Sequence, residues 1–252
     1  MRRNDRTGEI GKTHRGNIIK IVEYIDHNDI IVEFIDEHIN DEVARVHTTY
    51  KSFKDGTVKS PYDKTVHGKG YKGVGKYSCK SYKRAWDIWA HMIRRCYDPY
   101  TINKNITYKD CIVCDEWFNF QNFAEWYEEN YYTLQDESVQ LDKDILYKGN
   151  KIYSPDTCIF VPHRINSLIL CKPRCRGLYP VGCHMSHGKI CARCVTLDKC
   201  VYLGRFETKE EAFEVYKEFK EKYIKQIADE YKDRIPAKLY IALYNYKIDI
   251  ND

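Results

Sequence analysis

The chain has 252 residues, 43% of them hydrophobic and 31% charged, with a formal net charge of +4. That balance excludes a disordered or low-complexity chain, and the length allows two or three small domains. No apolar run is long enough for a membrane-spanning helix, and the opening MRRNDRTGEI lacks the apolar stretch of a secretory signal, so a cytoplasmic protein with no membrane partner is expected.

The charge is unevenly spread. Tyr50 to Arg84 holds ten Lys or Arg against two Asp, and Cys171 to Arg205 holds seven against one. Acids gather from Glu23 to Glu42 and from Asp110 to Asp144. Two basic segments separated by acidic ones suit a polyanion touched at two places, or simply two solvated faces. The 22 tyrosines serve a wet polar interface as readily as a half-buried strand, because a phenol joins ring area to a hydrogen-bonding tip.

From about Asn17 to His47 the β-branched runs NIIKIVEYI and DIIVEFI, joined at Asp26–Asp29 and continued by EVARVHTTY, read as a meander. So short a unit predicts a small barrel or curled sheet. The Gly-, Lys- and Tyr-rich stretch that follows reads as a loop or linker. Its Gly68 to Gly73 matches G-x-G-x-x-G, but no strand precedes it and no helix follows at once, so a dinucleotide site is not expected. A basic glycine loop against a phosphate backbone and a plain linker both stay open.

YKRAWDIWAHMIRRCY has helical spacing, with Ala85, Trp86, Trp89, Met92, Ile93 and Cys96 on one stripe and Pro99 ending it. ITYKDCIVC reads as a short strand and the segment from about Asn119 as an aromatic-rich helix. After the stretch LDKDILYKGNKIYSPDTCIFVP, PHRINSLIL reads as a short helix. YPVGCHM, KICARCVT and CVYLGRF read as three strands, with turns at Ser186–Gly188 and Asp198–Lys199. Thr208 and Glu211 have capping-box spacing at the head of a long amphipathic helix that Pro236 breaks, and AKLYIALYNYK closes the chain as a last helical piece.

Two cysteine pairs have C-x-x-C spacing, Cys111 with Cys114 and Cys191 with Cys194. Both lie in strand-like sequence, where residues three apart point to opposite faces, so structural zinc is not expected and buried thiols are.

Trp86, Met92, Arg95-Cys96-Tyr97, Val113-Cys114, Trp117, Phe123, Leu141-Asp142-Lys143-Asp144 and Tyr153-Ser154-Pro155-Asp156-Thr157-Cys158 together resemble bacteriophage HNH-like proteins, relatives of intron-homing and free-standing phage endonucleases. The likeness covers roughly Tyr82 to Leu168. It implies a ββα unit around one divalent cation, with an acid as ligand, a histidine next to it as general base and an asparagine steadying that base. Asp142 matches the acid and Asn166 the second ligand of magnesium or a similar ion. Lys143 stands where the base belongs, and Thr157 where the supporting asparagine belongs. A lysine between Asp142 and Asp144 should stay charged, a poor base and a good phosphate contact. His163, His91 or a metal-bound hydroxide would have to replace the base.

Lys189 to Arg193, Tyr202 to Thr208, Glu210-Glu211-Ala212 and Tyr216 resemble the DNA-binding domain of plant ethylene-response factors, which also occurs in phage and mobile-element endonucleases. The resemblance implies a three-stranded antiparallel sheet laid in the major groove and backed by a helix. It puts Arg193, Tyr202, Arg205 and Tyr216 at the DNA face. Alternation in the strands points Lys189, Arg193, Tyr202 and Arg205 outward, and Ile190, Ala192, Cys194, Val201 and Leu203 toward the helix. Cys183, His184 and Met185 stand where the plant proteins have arginines, which favours backbone-dominated binding over reading of a long site.

The expected architecture is α+β and modular. Residues 1–78 form a small β-barrel-like unit with its basic linker, 79–172 a degenerate HNH ββα unit with flanking helices, and 173–252 a three-stranded antiparallel sheet packed on a helix. The expected function is double-stranded DNA binding by a phage or mobile-element protein of HNH ancestry, with nicking as one version. The alternative is a non-catalytic regulator, or a phage protein that binds and inhibits a host or defence component, in either case in the cytoplasm of a bacterial host.

Overall fold

The computed structural model describes residues 5–39, 42–169 and 179–250, with the backbone alone at 36–39 and 42. The lysine- and arginine-bearing stretch 172–176 and the expected boundary at 172/173 lie outside the described residues. The chain divides into two compact units, 1–109 with 113–125, and 110–112 with 126–252. Among the described residues no helix is long and apolar enough to cross a membrane.

In the first unit, β1 (Ile10–Lys12), β2 (Ile18–Asp26), β3 (Asp29–Ile39) and β4 (Glu42–Thr48) form an antiparallel sheet in chain order. The Asp26 carboxylate accepts from the Asn28 and Asp29 amides and so shapes the β2–β3 turn. Alternation puts Ile19, Ile21, Ile30, Val32 and Phe34 in one core while Lys20 faces solvent. The expected barrel does not close: β1 and β4 are the two edges. Closure needs the last strand to return to the first. The chain instead leaves β4 through Thr49, whose side chain caps the short α1 (Tyr50–Lys54), and Phe53 of α1 joins the core beside Gly11.

The glycine-rich stretch is fixed in place rather than a free linker. A Cβ on Gly70 would lie 2.5 Å from Ile93 Cδ1 and 2.8 Å from Trp89, so glycine there lets the chain press against α2 (Lys83–Tyr97). The Gln121 amide donates to the carbonyls of Lys72 and Tyr77 and accepts from the Tyr77 amide. Helix α2 buries Ala85, Trp89, Met92, Ile93 and Cys96 of the expected stripe and half-buries Trp86, and Trp89 Nε1 donates to the Trp117 carbonyl at 2.6 Å. Asp98 accepts from Thr101 and caps α3 (Pro99–Lys104), so Pro99 both ends one helix and opens the next. The strand expected over ITYKDCIVC is mostly absent. Ile106–Tyr108 is a 3₁₀ turn, Asp110 takes a positive φ of 64°, and only β5 (Ile112–Val113) remains. Trp117 and the first half of α4 (Phe120–Asn130) complete this unit.

In the second unit, β6 (Val139–Asp142) pairs antiparallel with β8 (Ile159–Pro162), after the two-residue β7 (Ile152–Tyr153), and α5 (His163–Ile169) follows β8 directly. This is a ββα arrangement. Next, β9 (Cys183–Ser186), β10 (Lys189–Val195) and β11 (Cys200–Phe206) form an antiparallel sheet in the order β11-β10-β9. His187 and Gly188 both have positive φ, the geometry of a two-residue hairpin turn. Thr208 and Glu211 form the expected capping box on α6 (Lys209–Tyr231), and α7 (Ala237–Tyr244) starts after Pro236. Ala212, Phe213 and Tyr216 of α6 pack on the sheet side, while Ile159, Val161, Ile165 and Leu168 come from the ββα segment. All belong to a single hydrophobic cluster with Ile224, Ile227 and Leu239, so sheet and hairpin share one core. The structure is mixed α+β, with a C-terminal three-stranded antiparallel sheet backed by a helix.

Candidate nucleic-acid interface

Lys143 occupies the position of the expected base, and its surroundings are those of a structural group. It is 6% exposed. Its ammonium donates to both oxygens of Asp144 at 2.7 Å and to the Asn150 carbonyl at 2.8 Å, and lies 5.8 Å from the centre of the Tyr153 ring. The Asn150 side chain completes the loop by donating to the carbonyls of Lys143 and Ile152. The Lys143 nitrogen therefore has three acceptors within its own loop and is turned toward them rather than toward an open site. Thr157, at the supporting position, donates to the Ile152 carbonyl instead of to any group at 143.

Asp142 also serves the turn. Its Oδ1 accepts from the amides of Asp144 at 2.7 Å and Ile145 at 2.8 Å. Burial pushes its carboxyl above the usual range, and these two amides only partly oppose that. Asn166, the expected second ligand, donates to Gln140 Oε1 at 2.8 Å, and Gln140 Nε2 meets His163 Nδ1 at 3.0 Å. Gln140 thus ties both helix residues to the strand. It was missed in the sequence, although it lies two residues before Asp142 and so on the same face. Among the described residues no group of three or more His, Cys, Asp or Glu side chains converges as a metal site would require. The oxygens left for a cation are Asp142 Oδ2 and Asn166 Oδ1, fewer than a hard cation takes from protein without water or phosphate filling its shell.

The C-terminal sheet brings its residues together more completely. Ala192 pairs with Gly204 but Arg193 pairs with Tyr202, so Leu203 is an extra residue on β11. Tyr202 and Arg205 both face outward as expected, but not through alternation, which would put residues three apart on opposite faces; the bulge at Leu203–Gly204 brings them to one side. Gly204, with φ of 139°, is the local signal for it. The outward face then carries Lys189, Arg193, Tyr202 and Arg205, all exposed, with Tyr202 61% exposed. Lys189 is paired with Glu207. Among the described residues the Arg193 and Arg205 guanidinium groups have no hydrogen-bond or ion-pair partner. Cys191 sits between His184 on β9 and Arg205 on β11 and is only 2% exposed. Cys194 points the other way, into the core, as alternation requires.

Tyr216 does not join this face. It is 6% exposed on α6, in the core with Phe213, and a Cβ on Gly182 would fall 2.1 Å from its ring. Three and four residues after Phe213 and Ala212, it continues their buried stripe. His91, the remaining candidate base, is an exposed residue of α2 in the first unit.

No family model matches the chain, and neither the curated proteins nor the solved structures contain a significant match.

Proposed function

We propose that the chain binds double-stranded DNA on the outward face of β9–β11, mainly through phosphates, and that the hairpin from Leu141 to Pro162 is a scaffold of HNH ancestry without a base at Lys143. The observation that carries this reading is the bulge at Leu203–Gly204, which sets Tyr202 and Arg205 beside Arg193 with both guanidinium groups unpaired among the described residues. Arginine forks suit phosphates and guanine edges, and a tyrosine ring between them supplies contact area with a hydrogen-bonding tip. A divalent cation would find Asp142 and Asn166 as its protein ligands, but the proposed binding does not depend on one. On this reading the protein works in the cytoplasm of a bacterial host, as a phage or mobile-element DNA-binding protein.

The test is fluorescence anisotropy of a labelled duplex across a salt series, beside plasmid nicking with magnesium, manganese or chelator. Affinity should fall steeply with salt, and Arg193→Ala and Arg205→Ala should each flatten the log–log slope by about one. Duplex binding unchanged in the double variant would overturn the assignment of the face. Metal-dependent nicking that disappears in Asp142→Ala would restore the hairpin as an enzyme.

A further inference from the structure

A second concave site lies in the first unit, remote in sequence from the sheet. His91, Arg94 and Arg95 project from α2, Tyr100 and Lys104 from α3, and Tyr108 from the following 3₁₀ turn; together they line a cleft of about 300 Å³. Spacings of three and four residues put each helix's contributors on one side of that helix. Among the described residues no carboxylate lines the cleft. Asp98, two residues before Tyr100, accepts from the amide and hydroxyl of Thr101, which keep it below the usual carboxylate range, with His67 at 3.8 Å and Arg94 at 4.0 Å adding to the effect. Arg94 uses Nε on Thr101 Oγ1 at 3.2 Å, and among the described residues its terminal nitrogens make no hydrogen bond. Arg95 lies 5.7 Å from the centre of the Tyr108 ring, and Tyr100 stands open at the rim, 68% exposed.

We propose that this cleft binds one phosphorylated nucleoside, with Arg94, Lys104 and His91 around the phosphate and Tyr108 with Arg95 against the base. The lining combines the two chemistries that such a ligand needs: hydrogen-bond donors and positive charge for an anion, and an aromatic ring with a guanidinium beside it for a base. Its volume is at the small end of ligand sites, room for one nucleotide. The ligand is a free mononucleotide or the phosphorylated end of a strand, and the same contacts serve both. The inference stands whether or not the sheet binds DNA.

The experiment is calorimetric titration of the full chain with dAMP, deoxyadenosine, inorganic phosphate and a short single strand bearing either a phosphate or a hydroxyl at its 5′ end. Saturable binding of dAMP at one per chain is expected, at least tenfold tighter than deoxyadenosine or phosphate alone. Lys104→Gln and Tyr108→Leu should each weaken it about tenfold, the loss of one charge-assisted contact or one stacking face. Arg205→Ala should leave it unchanged. A strand bound only when phosphorylated, and more tightly than dAMP, identifies the strand end as the source; dAMP bound more tightly than either strand identifies the free nucleotide. Circular dichroism of Lys104→Gln, an exposed position, guards against misfolding as the cause of a loss. The proposal is overturned by dAMP binding no better than inorganic phosphate, by dAMP binding equal in the parent and in both cleft variants, or by no saturable binding of dAMP or of the phosphorylated strand.

Discussion

Replacing Lys143 separates a scaffold from a catalytic part, because the two roles predict opposite readouts. In Lys143→Ala three losses combine. The ion pair to Asp144 is worth about 1 kcal/mol, since Asp144 is 51% exposed and water can take over its charge. The Asn150 carbonyl loses a donor at a part-buried site, about 1 kcal/mol more. The aliphatic stem, buried against Tyr153, accounts for about 2 kcal/mol. Lys143→Ala should therefore destabilise the second unit by about 4 kcal/mol, and Lys143→Met, which keeps the stem, by about 2 kcal/mol. At roughly 3 °C per kcal/mol the unfolding midpoint drops by about 12 and 6 °C respectively. Thermal unfolding followed by circular dichroism measures both shifts, and anisotropy at 25 °C should show duplex affinity retained. The reasoning fails if both variants melt within a degree of the parent, and fails most informatively if metal-dependent nicking changes at the same time, since Lys143 would then act on substrate rather than on its own loop.

Three further perturbations probe the same unit. Asp142 has a folded pKa raised by burial, so the stability it contributes is full below the ordinary carboxylate pKa and is lost as pH rises through the raised value. Asp142→Asn removes the charge while keeping an oxygen for the two turn amides; it should melt no lower than the parent at pH 7, with the gap closing toward pH 4, and a less stable variant at pH 7 would show that the carboxylate is needed charged. Gly182→Ala meets both a φ of 78° and the Tyr216 ring, and should cost at least about 2 kcal/mol in denaturant titration; a midpoint equal to the parent's would remove Tyr216 from the assigned core position. Thr208→Ala breaks the capping box and should cost about 1 kcal/mol, with Thr208→Asp recovering most of it; equal midpoints for all three chains would mean the cap is idle.

The parts of the fold that were legible in the sequence are those whose cause is local. The Thr208–Glu211 box, the Asp26–Asp29 turn and the strand at Lys189–Val195 each depend on residues within a few positions, and each is where alternation and turn chemistry put it. Closure of the N-terminal sheet depends on where the chain goes after β4, which no local pattern records. Gly70 has its role set by α2, some twenty residues on, and Gly73 by Asn119, contacts that the G-x-G-x-x-G spacing does not record. The strand expected over ITYKDCIVC gives way to a 3₁₀ turn at Ile106–Tyr108 and a positive φ at Asp110, and only Ile112–Val113 stays extended in a ladder. Tyr216 was misplaced for another reason. Its helical spacing from Ala212 and Phe213 already pointed inward, and the family analogy outweighed a periodicity that the structure obeys.

The bulge on β11 also limits what the proposed interface can read. Two guanidinium groups, unpaired among the described residues, and one tyrosine make up most of its direct chemistry, since Lys189 is engaged by Glu207 and the small Cys191 lies buried between His184 and Arg205. A good bidentate contact discriminates between bases by about 1–3 kcal/mol, so two arginines can distinguish only a few base pairs even if both point at base edges. Phosphate contacts carry no such information but add affinity with every charge neutralised. A face of this kind should therefore bind many duplexes with similar affinity and release them together as salt rises. If it instead preferred one duplex by a thousandfold, about 4 kcal/mol, one arginine at about 3 kcal/mol would fall short and both would have to read bases at about 2 kcal/mol each, leaving neither free to hold a phosphate and the salt slope correspondingly shallow.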